Sequence, residues 1–165
     1  MHQAQLKGKK VLLVGVSYAL LDLAHKLQGQ ENFKGVTVME TGGMKGRRRE
    51  MIREELHAQL MQGLGVESIH SEYGMTELLS QAYSHGKGVF WPGYTMRVLL
   101  RDLNDPFDMS NSRQSGGINV IDLANVDSCA FIETKDIGRL HPDGSFEVLG
   151  RFDNSDVRGC NLMVG

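Results

Sequence analysis

Cysteine is scarce in this chain: Cys129 and Cys160 are the only two among 165 residues. Two thiols cannot build a disulfide framework, and neither sits in a C-x-x-C pair. His57, His70, His85 and His141 are scattered, so no metal-ligand spacing emerges either. Long hydrophobic runs are also missing. The most apolar stretch, Val11–Val16 followed by Ala19-Leu20-Leu21, is far short of the roughly 20 residues that a bilayer requires, which excludes a membrane span there. Lys7, Lys9 and Lys10 precede it in the manner of a secretory signal. However, Asp22, His25 and Lys26 follow at once and no small-x-small cleavage site is present. A buried strand running into a helix fits better. With free thiols, the expected compartment is the cytoplasm. Charge of one sign is lacking too. The 18 Lys+Arg against 20 Asp+Glu leave a net charge of −2, and nothing suggests the basic stripe of a nucleic-acid binder.

What is present is an ordinary globular composition, 41% hydrophobic and 23% charged, which argues against wholesale disorder. The first half alternates strand and helix patterns. Residues 10–16 read as a buried strand. Ser17 can cap a helix over 18–28, with Leu20, Leu23, Ala24 and Leu27 on one face and Gly29 as its stop. Residues 36–39 form a second strand. Ile52, Leu56, Leu60 and Leu64 fall four apart, which predicts a helix from Arg48 to Leu64 ended by Gly65. Residues 68–73 form a third strand that reaches a turn at Gly74. The order predicts α/β with a partial parallel sheet. After residue 90 the pattern becomes short strands at 96–101, 118–123, 129–134 and 146–149, with Pro142-Asp143-Gly144 joining two antiparallel strands. The expected architecture is an α/β portion over 1–90 and a small β-rich, partial-barrel portion over 91–165, forming one structural unit. There is no internal repeat or low-complexity segment.

Three stretches could carry chemistry. Thr41-Gly-Gly-Met-Lys-Gly46 follows a strand and precedes a helix, where open α/β sheets bind ligands. It lacks the Walker spacing and is not G-x-G-x-x-G, so a ligand loop and an ordinary tight turn both remain open. Lys45, Arg47, Arg48 and Arg49 crowd the predicted helix start. Cations there oppose the helix dipole, a cost that an anionic partner could offset; with Glu50, Glu54 and Glu55 nearby, a solvated charged face is the favoured reading. In Ser71-Glu-Tyr-Gly-Met-Thr-Glu77, the tyrosine can stack on a base, the glycine permits a turn, the threonine can donate to phosphate and Glu77 can hold Mg²⁺. The other reading is a strand-to-helix turn with Thr76 as N-cap.

Tyr73-Gly-Met-Thr-Glu77 resembles the Y-G-x-T-E signature of the adenylate-forming acyl-activating superfamily. Thr41–Gly46 resembles its adenine-side glycine loop. Thr134-Lys-Asp-Ile-Gly-Arg139 and Asp143-Gly-Ser-Phe-Glu-Val-Leu-Gly-Arg-Phe-Asp153 resemble its pattern near the hinge, with Lys135 where a glycine is usual. The string Tyr73–Tyr83, with Asp122-Leu-Ala-Asn125 and Arg158-Gly-Cys-Asn161, resembles the LuxE-type acyl-protein synthetases, and the likeness covers nearly the whole chain. It implies the C-terminal part of the large domain of such an enzyme, since the superfamily's N-terminal phosphate loop has no counterpart here.

The resemblance implies activation of a carboxylic (fatty) acid by ATP to acyl-AMP, then transfer to a protein thiol. Gly42, Gly43, Tyr73, Gly74 and Met75 would line the adenine. Thr76 would touch the α-phosphate and Glu77 the Mg²⁺. Asp136 would take the ribose hydroxyls with Arg151 assisting, and Asp153 would mark the hinge. Cys160 would receive the acyl group, with Arg158 favouring its thiolate, whereas Cys129 is expected in the core. An acyl-accepting reductase is the partner implied. An N-terminal half, or oligomerisation, would be needed to complete the site. Two alternatives stand beside this one: a non-catalytic fragment or partner-binding module, and a phenylacetate-CoA-ligase-like acyl-CoA synthetase fragment.

Overall fold

The computed structural model describes residues 7–27, 33–42, 51–105, 107–109 and 114–152. These hold nine strands and two α-helices, grouped in two compact units. One comprises Met1–Gly74 with Tyr83–Phe90, the other Met75–Ala82 with Trp91–Gly165. Residues 75–82 group with the second unit and 83–90 with the first.

The first unit is built on three parallel strands, β1 (Val11–Val16), β2 (Val36–Thr41) and β3 (His70–Tyr73), in that order. Val11 pairs with Val36 and Val16 with Thr41; Met39 pairs with His70 and Thr41 with Glu72. Helices α1 (Ser17–Leu27) and α2 (Arg53–Leu64) supply the crossovers. A single core joins them to the sheet through Leu20, Leu21, Ala24, Val38, Leu60 and Ile69. Each fully buried leucine contributes about 1.5–3 kcal/mol, so these stripes, more than intrinsic propensity, hold two short helices. The helices also touch each other closely. A Cβ on Gly63 would lie 2.7 Å from the Ala24 Cβ and 2.9 Å from the Ala24 carbonyl oxygen, so glycine is required there. The other sheet face is less covered, with Leu12 56% and Val14 47% exposed.

Several helix details depart from the sequence pattern. Gly65 ends α2 as expected, at φ 64° with its amide donating to Met61 O at 3.0 Å. The start differs: α2 begins at Arg53, and Ile52 before it is extended (φ −66°, ψ 149°) and 69% exposed. Leu56, Leu60 and Leu64 therefore form the buried row without Ile52. Positions 43–50, and the expected stop at Gly29, lie outside the described residues. Ser17 is the first residue of α1, and its hydroxyl bonds across the sheet end instead of capping the helix.

The second unit is an antiparallel meander of β6 (Met96–Arg101), β7 (Ser115–Asp122), β8 (Phe131–Leu140) and β9 (Phe146–Arg151), in the order β9-β8-β7-β6. Two short strands, β4 (Ala82–Ser84) and β5 (Val89–Pro92), lie where the chain passes between the units. The turn from β8 to β9 follows the expected signal. His141 N–H donates to Ser145 O at 2.8 Å, and Asp143 Oδ1 accepts the Ser145 amide at 2.9 Å. Val98, Leu100, Ile118, Val120 and Phe146 are buried. Arg101 is buried among them. It donates to Ile118 O at 3.1 Å, Asn119 Oδ1 at 2.7 Å and Thr134 O at 2.7 Å, which satisfies the carbonyls beside the irregularity between Gly117 and Asn119. The strand expected over 118–123 ends at Asp122, because the Asp122 side chain accepts the Ala124 amide and turns the chain into a single 3₁₀ turn, Leu123–Asn125. The strand expected over 129–134 starts at Phe131. Cys129 is exposed, not core, because it precedes that strand.

Candidate functional site

In the first unit the C-terminal ends of β1, β2 and β3 converge on a buried polar cluster. Glu40 continues the inward phase of Val36 and Val38, so its carboxylate enters the protein. The Ser17 hydroxyl donates to Glu40 Oε2 at 2.8 Å and is 2.7 Å from Gly42 O, so its one proton is shared between two acceptors. His57 Nε2, from α2, lies 3.6 Å from Glu40 Oε1 and 3.4 Å from the Ser71 hydroxyl. Burial pushes the Glu40 carboxyl up. The His57, Ser17 and Ser71 hydrogen bonds and the His57 charge outweigh it, leaving the group below the usual glutamate range. This is not a nucleophilic triad. Both His57 contacts use the same ring nitrogen, so no proton can pass across the ring, and all four groups are buried. The cluster does tie the Gly42 carbonyl to α1, which fixes the start of the glycine loop. Gly43 lies outside the described residues.

Tyr73 is 8% exposed, with its ring edge toward Phe90 at a centroid distance of 6.0 Å. The Arg53 guanidinium lies 5.2 Å from the centre of that Phe90 ring. In this arrangement the tyrosine ring is a core group and does not present an open stacking face.

In the second unit, Leu78 N–H donates to Met75 O at 3.0 Å and closes a four-residue turn. Thr76 and Glu77 occupy its two central positions, and both are exposed. No helix follows, so Thr76 is not an N-cap. The turn rests on Asp122, which is fully buried. Asp122 Oδ2 accepts the Leu79 amide at 2.8 Å and the Ser80 amide at 2.9 Å; Oδ1 accepts the Ser80 hydroxyl and the Ala124 amide. Burial pushes this carboxyl up, but the Ser80 hydroxyl and the three amides hold it below the usual aspartate range. Asn125 Nδ2 donates to Glu77 O at 2.8 Å. Asp136 and Arg151 are direct cross-strand partners on β8 and β9. Asp153 and Cys160 lie outside the described residues.

Two concave regions among the described residues bear on the site. The larger, of about 580 Å³, involves Gly35, Val36, Gly65 and His70. It sits where β2 and β3 begin, opposite the strand ends at which open α/β sheets bind ligands, so it is not the favoured site. The smaller, of about 380 Å³, lies in the second unit and is formed by Glu77, Ser128, Cys129, Phe131, Ile132 and Glu133. No group of three or more His, Cys, Asp or Glu among the described residues could cage a metal ion. Glu77, exposed and next to Thr76 in the chain, is the kind of carboxylate that a Mg²⁺ keeping its waters and sharing its remaining positions with phosphate oxygens would take.

Sequence reasoning missed Ser17, Glu40, His57 and Ser80 as supporting groups. Glu40 carried a readable signal, being an acidic residue in the buried phase of an alternating strand.

No family model matches the chain, and no curated protein matches it. Solved structures do. A coronafacic acid ligase from Pectobacterium brasiliense superposes with a TM-score of 0.63 at 15% identity, over 85% of this chain and 29% of that one. O-succinylbenzoate coenzyme A synthetase from Bacillus subtilis, solved with ATP and magnesium ion, gives 0.56 at 19% identity, over 91% of this chain and 33% of that one. A long-chain-fatty-acid-CoA ligase from Archaeoglobus fulgidus gives 0.60 at 12% identity, over 92% and 36%. The chain thus has the fold of part of these ligases and spans about a third of their length. Among the described residues, no helix is long and apolar enough to cross a membrane.

Proposed function

We propose that the chain forms the nucleotide-binding portion of an enzyme that activates a carboxylic acid with ATP, and that the acid is a fatty acid. The observation that carries this reading is the Met75–Leu78 turn, which exposes Thr76 and Glu77 side by side on a buried framework. The fold shared with acid–CoA ligases, one of them solved with ATP and magnesium, supports it. In the proposed reaction a carboxylate oxygen attacks the α-phosphorus. The bond from that phosphorus to the bridging oxygen breaks, and pyrophosphate leaves with the electron pair. Two anions must meet, so catalysis rests on positioning and on charge neutralisation. Bound Mg²⁺ would supply that neutralisation, with Glu77 as its protein ligand. Thr76 donates to the α-phosphate. Asp136 accepts the ribose hydroxyls, assisted by Arg151 across the strand pair. Gly42, Gly43, Gly74 and Met75 line the adenine, with Tyr73 contributing main chain because its ring is buried. The finer reading is a LuxE-type acyl-protein synthetase, in which Cys160 attacks the acyl-AMP carbonyl, AMP leaves, and the thioester passes to a reductase in the cytoplasm. Turnover is proposed to need the phosphate-loop and acid-binding part of such an enzyme.

The test is fatty-acid-dependent exchange of labelled pyrophosphate into ATP, run on the chain alone and with an N-terminal ligase segment supplied separately. Exchange is expected to fall at least about a hundredfold in the Glu77→Ala, Asp136→Ala double variant, as when preorganised transition-state contacts are removed. Unchanged exchange would sink the assignment.

A further inference from the structure

The turn that carries Thr76 and Glu77 is held by side chains from a distant segment. A four-residue turn closed by one hydrogen bond leaves its central residues free to fluctuate, and a metal-facing carboxylate on it would lose affinity to that motion. Here a distant segment supplies what the turn lacks. Asp122, at the end of β7, takes the amides of both Leu79 and Ser80 on one carboxylate oxygen. Its other oxygen accepts the Ser80 hydroxyl, and that hydroxyl lies 2.6 Å from Thr95 Oγ1. Leu123 N–H in turn donates to Thr95 O at 2.8 Å. These contacts anchor the residues just after the turn. Asn125, three residues on from Asp122, reaches the turn itself and donates to the carbonyl of Glu77 at 2.8 Å.

The two contacts differ in purpose. The Asp122 contacts alone would suffice to connect 79–80 to the sheet. The Asn125 amide adds nothing to strand pairing and acts only on the residue whose side chain faces outward. We propose that Asp122 and Asn125 are positioning residues that hold the Glu77 carboxylate in place for the metal ion of a bound magnesium–nucleotide, with Asn125 acting on Glu77 directly. This rests on the nucleotide reading above and adds the residues that preorganise it.

The experiment measures the affinity of the chain for ATP in Mg²⁺ and in EDTA, for wild type, Asn125→Ala and Asn125→Leu. The leucine keeps much the same size and shape without the N–H donor and adds no charge, so it separates packing from hydrogen bonding. Both variants are expected to lose about three- to tenfold of the gain that Mg²⁺ confers, the worth of one hydrogen bond, and to keep the EDTA affinity within about twofold. A Mg²⁺ gain unchanged in both variants overturns the proposal. So does an equal loss in Mg²⁺ and EDTA, which would mark a purely structural role. A wild-type chain with no Mg²⁺-dependent affinity overturns the nucleotide reading itself, so the two failures are distinguishable.

Discussion

Replacing Asp122 by alanine is expected to cost about 3–5 kcal/mol of folding stability, since it removes several hydrogen bonds to a carboxylate at about 1.5–3 kcal/mol each. The side chain is fully buried and accepts two amides of the 79–80 segment, the Ser80 hydroxyl and its own capping contact to Ala124. Alanine leaves the buried Ser80 amide without its acceptor and strips the Leu79 and Ala124 amides of theirs, while the Ser80 hydroxyl keeps only Thr95. Urea unfolding reads the effect as a lower midpoint at similar slope. A loss below about 1 kcal/mol would mean that the network is not formed, since that is the worth of a single ordinary hydrogen bond. The pH dependence has a definite sign. The folded-state carboxyl lies below its ordinary value, so its contribution is fully present above the unfolded value of about 3.9 and is lost as pH falls through the lower folded value. Asp122→Asn should therefore be less stable than wild type near pH 6. The gap between the two should narrow as pH drops below about 4.

Glu40→Ala is expected to be nearly as damaging, at about 3–5 kcal/mol, because it strips a buried carboxylate from His57 and Ser17 together. Glu40→Gln keeps an acceptor of the same shape and should cost less, about 1–3 kcal/mol. Thermal unfolding of the pair separates charge from shape. Equal losses in the two variants would show that the charge of the Glu40 carboxylate, more than the acceptor it offers Ser17, sets the stability of the site. The loss also has a local consequence. The Ser17 hydroxyl that faces Glu40 also reaches Gly42 O, so the anchoring of Gly42 should weaken with it.

The first two parallel strands were legible because they are short, β-branched and largely apolar, and β6 was legible to the residue because polar or turn positions bound it on both sides. Gly65 was equally clear, since no other residue type takes a left-handed helix end so readily. The start of α2 was not. Ile52 fits the four-residue spacing of Leu56, Leu60 and Leu64, and only its extended backbone and exposure show that it stands outside the helix. Of the candidate site, Thr76 and Glu77 could be named from their local pattern, and Asp136 and Arg151 are direct cross-strand partners. Their support could not be read. The bond from Asp122 to Ser80 spans 42 residues, and that from Asn125 to Glu77 spans 48. No local periodicity encodes a contact at that separation. Tyr73 shows the opposite failure: its residue type suggested stacking on a base, but the inward phase of β3 places it in the core.

Isothermal titration of the chain with ATP, in Mg²⁺ and in EDTA, for wild type and Glu77→Ala, tests the nucleotide site most directly. Saturable binding to wild type that Mg²⁺ tightens, with that tightening lost in Glu77→Ala, is the expected result. No saturable binding, or the same tightening by Mg²⁺ in both proteins, would contradict it.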